Sequence, residues 1–158
     1  MSVELGQPAP GFELEATSGE SISLEDRRGK GTTVLLFVPL AFTPVCANEL
    51  SIVRDEYETY TGLGAEVLAA SVDSVHTLKV WGKQLDLPFP LLSDFNKETA
   101  RAYGALYDEL GGLRGVAKRS AFVIDREGIV RYRWVSEDAG LLPPFDEVKA
   151  AVEQAASA

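Results

Sequence analysis

The run Thr32-Thr33-Val34-Leu35-Leu36-Phe37-Val38 constrains this chain more than any other feature. It is β-branched and apolar without a polar alternation, which suits a strand covered on both faces. Pro39 closes the run, and from Pro44 onward apolar residues return at helical spacing. A buried strand that feeds a helix implies a sheet with helices packed on it.

The rest of the chain extends that grammar. Phe12 to Ala16 and Ser21 to Leu24 flank the turn-like cluster Thr17-Ser18-Gly19-Glu20, so they read as a hairpin. A helix is predicted from about Pro44 to Tyr60, a strand over Glu66 to Val72, and a second helix capped by Asp73 or Ser74 and running to about Asp86. Pro88 and Pro90 break the chain there. Asn96 to Tyr103 reads as a short helix closed by Gly104. Ser120 to Ile124 and Ile129 to Val135 are strands joined by Asp125-Arg126-Glu127-Gly128, a hairpin connection. A last helix starts near Pro143-Pro144 and buries Phe145, Val148 and Val152. Helical crossovers imply parallel strands in the first half, and the hairpin an antiparallel pair in the second. The expected fold is an α/β mixed sheet flanked by helices, similar to thioredoxin, with an added N-terminal β-hairpin.

At 158 residues the chain suits one domain spanning its whole length. No stretch is long and apolar enough for a membrane span. Met1 to Pro10 does not read as a signal peptide. A formal net charge of -9 argues against nucleic-acid binding. Arg27-Arg28-Gly29-Lys30, the densest basic run, reads as a solvated loop.

The only cysteine, Cys46, stands at the strand-to-helix junction. An unpaired thiol in a chain without an export signal points to a reducing cytoplasm. Cys46, Leu50, Val53, Tyr57 and Tyr60 fall on one helix face, so the thiol begins the core-facing stripe. One reading makes it a small buried hydrophobe. The other makes it reactive: with Thr43 at the N-cap and Pro44 at the first helical position, the sulfur lies near the positive end of the helix dipole, which favours the nucleophilic thiolate. Thr43 is expected to cap the helix by accepting a backbone N–H, and its hydroxyl is also placed to orient a substrate oxygen. Pro39 either ends the strand or shields the thiolate.

Competing chemistries are poorly supplied. A thiol hydrolase needs a histidine base, and His76 is the only candidate, lying beside the stripe Val75, Leu78, Trp81 (or Gly82), Leu85 rather than on it. One cysteine and one histidine cannot close a structural zinc site. Thr43-Pro44-Val45-Cys46 has the spacing of a dithiol motif but threonine in its first position. No cofactor or metal is expected.

The pattern Pro39-x-x-x-Thr43-x-x-Cys46, with Glu49 three residues on, resembles the peroxiredoxin active-site motif. The segments Pro39-Leu40-Ala41-Phe42-Thr43, Phe89-Pro90-Leu91-Leu92-Ser93-Asp94 and Ala102-Tyr103-Gly104 resemble the AhpE-type one-cysteine members, over nearly the whole chain. The resemblance implies a thiol-dependent peroxidase acting on hydrogen peroxide or organic hydroperoxides through a sulfenic acid at Cys46. It implies that the family's arginine before a late strand is Arg119, in Lys118-Arg119-Ser120, and that Glu49 orients it. Thr43, Arg119 and the Cys46 backbone N–H are the implied donors to the reacting oxygens. Without the resemblance, Arg119 reads as a surface arginine and Glu49 as a solvated helix residue.

A related group places a resolving cysteine five residues after the first, where this chain has Ser51. An external reductant is therefore expected: a low-molecular-weight thiol, a glutaredoxin-like protein or thioredoxin. The family's dimers form through loops around the active site, which makes a homodimer with Phe42 at its interface the expectation. A peroxide sensor or redox-controlled holdase begins from the same sulfenic acid, and the motif does not separate these from the enzyme.

Overall fold

In the computed structural model, which describes residues 3–157, every expected strand and helix forms in the expected order, and a strand outside that expectation, Leu91–Ser93, is added among them. The elements are β1 (Glu13–Ala16), β2 (Ser21–Ser23), β3 (Thr32–Phe37), α1 (Pro44–Asp55), α2 (Tyr57–Gly62), β4 (Ala65–Ser71), α3 (Val75–Gln84), β5 (Leu91–Ser93), α4 (Glu98–Ala102), β6 (Ser120–Ile124), β7 (Val130–Val135) and α5 (Phe145–Ser157). Met1, Ser2 and Ala158, which belong to the expected domain and, at the N-terminus, to the segment weighed as a leader, lie outside the described residues.

The seven strands form one sheet in the order β2-β1-β5-β4-β3-β6-β7. β3, β4 and β5 run parallel, while β6 pairs antiparallel with both β3 and β7. This is the expected mixed sheet. The N-terminal hairpin forms with Leu14 opposite Ile22, and β1 also pairs antiparallel with β5.

The apolar run explains the layering. Val34, Leu36 and Val38 face one core with Leu50 and Val53 of α1, Leu78 and Trp81 of α3, and Val148 and Val152 of α5. Leu35 and Phe37 face the other, with Ala100 of α4, Tyr103 and Phe122. Both faces of β3 are therefore dry, and its residues are all buried. Burying each leucine there contributes about 1.5–3 kcal/mol.

Several elements depart from expectation. The segment after Pro90 forms the strand β5, because Leu91 and Leu92 are buried and pair in parallel with Ala69 and Ala70 of β4. The long first helix breaks at Glu56, whose backbone leaves helical geometry at φ -108° and ψ 13°. Its carboxylate pairs with Lys149 of α5, and α2 then turns to pack against β4. Tyr60 is still buried on the far side of the break. The short fourth helix begins later than predicted, after Lys97 in the left-handed region at φ 66°. The buried carboxylate of Asp94 accepts the N–H groups of Thr99 and Ala100 at 3.1 and 2.7 Å, which fixes where that helix starts. The expected Arg27 loop contains a 3-10 turn over Glu25–Arg27, and Arg27 pairs with Glu66 at 2.9 Å.

Candidate active site

Parallel strands open a crevice at their carboxyl ends. The chain leaves β3 there through Val38 and Pro39, turns at Ala41-Phe42 and enters α1 at Pro44. Cys46 is the third residue of α1 and only 1% exposed. Geometry of the first helical turn leaves the N–H groups of Val45 and Cys46 without intrahelical acceptors, so both are available near the sulfur. Leu50 and Val53 continue the stripe and are buried with it.

Arg119 reaches the thiol from the far end of the sequence. It directly precedes β6, whose antiparallel pairing with β3 sets Ser120 opposite Phe37. The register thus brings the arginine to the end of the strand that leads to Cys46. Nη2 donates to Cys46 Sγ at 3.4 Å, Nη1 to Glu49 Oε1 at 2.7 Å, and Nε to the Ala139 carbonyl at 2.8 Å. Three anchors in different directions leave the guanidinium little freedom.

Arg119 is 2% exposed and Glu49 is fully buried. Both surface readings taken from the bare sequence are therefore corrected. Burial pushes the Glu49 carboxyl up to about 7, against the lowering effect of its hydrogen bond and charge pairing with Arg119. Burial alone would lower the pKa of Arg119, but the hydrogen bond to Glu49 and the charges of Cys46 and Glu49 together raise it. Glu49 Oε2 is buried with no hydrogen-bond partner, consistent with a carboxyl that holds a proton more readily than usual.

Thr43 occupies the N-cap with extended backbone, yet its side chain does not cap the helix. The hydroxyl instead donates its hydrogen to the Leu40 carbonyl at 2.8 Å. A carbonyl can only accept, so the threonine oxygen keeps its lone pairs for a donor arriving from outside. This replaces the expected capping bond and corrects the implied donor role: with its hydrogen spent on Leu40, the Thr43 hydroxyl offers an incoming group an acceptor rather than a donor. Pro39 is buried two residues past the end of β3. Phe42 is 49% exposed, and its ring meets Trp81 with centroids 6.2 Å apart.

The site thus joins Cys46, Arg119 and Glu49 through direct bonds and sets Thr43 and Pro39 on the adjoining loop. His76 is exposed near the start of α3 and takes no part. Sequence reasoning missed the Ala139 carbonyl, which carries no side-chain signal, and the role of Asp73. Ser74, not Asp73, caps α3 by accepting the Thr77 N–H at 3.2 Å, while Asp73 accepts the Ala41 N–H at 2.8 Å. Among the described residues no cluster of three or more histidine, cysteine or acidic side chains is placed to hold a metal ion. No described helix is long and apolar enough to cross a membrane.

A deeply buried thiol at a strand-to-helix junction, bonded by an arginine that a carboxylate holds, defines a class of thiol-based redox proteins on a thioredoxin-like sheet. The AhpC/TSA family profile matches residues 5–133, and the chain belongs to that family, the peroxiredoxins, which are thiol-dependent peroxidases. It is 36% identical over 132 residues to alkyl hydroperoxide reductase E of Mycobacterium tuberculosis, covering 82% of this chain and 84% of that protein. Among solved structures, reduced 2-Cys peroxiredoxin of Plasmodium vivax superimposes with a TM-score of 0.85 at 28% identity, covering 94% of this chain and 80% of that one. Peroxidoxin BcpB of Mycobacterium tuberculosis gives 0.84 at 29% identity, covering 96% and 97%.

Proposed function

We propose that this peroxiredoxin works by a one-cysteine mechanism, with Cys46 as the peroxidatic nucleophile and an external thiol as reductant. The observation that carries the reading is the 3.4 Å bond from Arg119 Nη2 to Cys46 Sγ, backed by Glu49. The Cys46 thiolate attacks one peroxide oxygen, forming an S–O bond as the O–O bond breaks. Its sulfur is oxidised to the sulfenic state, and the departing oxygen takes up a proton and leaves as water or alcohol. Charge moves from sulfur to that oxygen, and the fixed Arg119 guanidinium with the Cys46 N–H stabilises it without reorganising. Thr43 accepts a hydrogen bond from a peroxide O–H and so aligns the substrate. Pro39 has no N–H to compete for the sulfur and keeps water from it.

The sulfenic acid then condenses with a first external thiol, releasing water and leaving a mixed disulfide. A second thiol attacks that disulfide, restores Cys46 and leaves as the oxidised reductant. Cys46 is the only cysteine, so the resolving sulfur comes from another molecule. Hydrogen peroxide and organic hydroperoxides are the proposed substrates, and a low-molecular-weight thiol, a glutaredoxin-like protein or thioredoxin the reductant. The same proposal has the protein acting as a homodimer in the reducing cytoplasm, with exposed Phe42 at the subunit contact. Sedimentation at the mass of two chains, lost on Phe42→Glu, is the expected result for that part.

Rapid mixing of the reduced protein with several peroxides tests the mechanism, followed by the fluorescence of Trp81, which touches Phe42 in the active-site loop. Saturable oxidation is expected, with recovery and repeated turnover when one of the named thiols is added. Cys46→Ser should abolish the signal while keeping the fold. Oxidation that stops at one equivalent with every thiol donor would sink the catalytic reading.

A further inference from the structure

The loop that carries Pro39 and Thr43 needs something to hold its shape. Phe42, at its centre, adopts φ 65°, a left-handed conformation that costs a side-chain-bearing residue about 1–2 kcal/mol. Its ring is half exposed in the single chain, so the chain's own core does not pin the turn. One restraint comes from within the loop, where the Thr43 hydroxyl donates to Leu40 at 2.8 Å.

The other comes from outside. The Ala41 N–H donates to Oδ2 of Asp73 at 2.8 Å, and the same oxygen accepts the Ser71 hydroxyl at 2.6 Å. Ser71 Oγ in turn accepts the Asp73 N–H at 3.1 Å, and the Ser93 hydroxyl donates to the Asp73 carbonyl at 2.6 Å. Asp73 is therefore locked to the carboxyl ends of β4 and β5 and offers the loop a charged acceptor, a stronger class of bond than a neutral one. Its carboxylate has no competing duty at α3, because Ser74 performs the capping there.

We propose that Asp73 is a positioning residue for peroxide reduction, holding the Ala41 N–H so that the turn sets Thr43 and Pro39 against Cys46. The inference rests on the one-cysteine peroxidase reading above. It predicts a selective defect. Peroxide attack needs the substrate aligned by the loop, whereas alkylation of the thiolate by iodoacetamide needs only the nucleophile.

Asp73→Ala should lower the rate constant for Cys46 oxidation by hydrogen peroxide about 10- to 100-fold, the scale expected when a catalytic group shifts by a fraction of an ångström to one ångström. Alkylation of the reduced protein should change little. Asp73→Asn retains an oxygen that can accept both donors and should recover most of the lost rate. If Asp73→Ala fails to fold, Ser71→Ala carries the test, and is expected to slow oxidation several-fold with alkylation unchanged. Oxidation at the wild-type rate in Asp73→Ala (or in Ser71→Ala where it stands in), or parallel loss of oxidation and alkylation, would overturn the inference. Failure of the underlying reading has its own signature: wild-type Cys46 oxidised no faster by peroxide than free cysteine, in which case the inference falls with it.

Discussion

Glu49 is the residue on which burial and charge pull hardest against each other. Its carboxyl is raised from 4.5 to about 7 by burial, with Arg119 opposing the shift. Between those values the folded protein holds a proton that the unfolded chain releases, so the stability this group contributes is fully present below pH 4.5 and is lost as pH rises through about 7. Glu49→Gln keeps an acceptor for Arg119 and removes the titration. Urea unfolding from pH 4.5 to 8 should show the variant gaining on wild type as pH rises, by a difference on the order of 3 kcal/mol at most. A constant difference across that range would show that Glu49 does not titrate there. Activity should move oppositely, since only the ionised carboxylate pairs fully with the guanidinium that donates to Cys46. The wild-type oxidation rate is therefore expected to lose its Glu49-dependent limb in the variant.

Among the elements, β3 carries the greatest load. Leu36 is 1% exposed and packed between the sheet and the helices on one face, so Leu36→Ala removes buried methyl groups and leaves a void. It should cost about 2–5 kcal/mol in denaturant unfolding. Ser74→Ala, which deletes the single side-chain cap of α3, should cost about 1 kcal/mol by the same measurement. The element pattern was largely legible in the chain, because apolar spacing reports which face each segment buries. The break at Glu56 was not, since the stripe through Tyr57 and Tyr60 continues across it and only the pairing with Lys149 marks the bend. Asp94 was likewise visible as a residue but not as the group that starts α4.

For the whole molecule, the decisive property is that its one thiol lies in the interior of a sheet protein, with no second cysteine to trap its oxidised form. Treated with excess peroxide and no thiol, the protein should gain oxygen stepwise by mass spectrometry, first one atom as sulfenic acid and then two or three as sulfinic and sulfonic acid. No loss of two hydrogens from an intrachain disulfide should occur. Added thiol should restore the mass only if it arrives before the second oxygen. Recovery of the reduced mass after the first oxygen with no thiol added would contradict the external-reductant reading.

Read alone, the chain specified the dry central strand, most of the order of elements and the placement of Cys46 on a core-facing stripe in a first helical turn. Those follow from local spacing, and the motif around the cysteine added a family resemblance. The Arg119–Glu49 pair came with the resemblance, but its burial, the Thr43 hydrogen spent on Leu40 and the hold of Asp73 on Ala41 emerged only from the folded chain. Arg119 lies 73 residues from the thiol it touches and Asp73 lies 32 from the loop it restrains. Such contacts depend on strand register across the sheet, which no periodicity along the chain encodes.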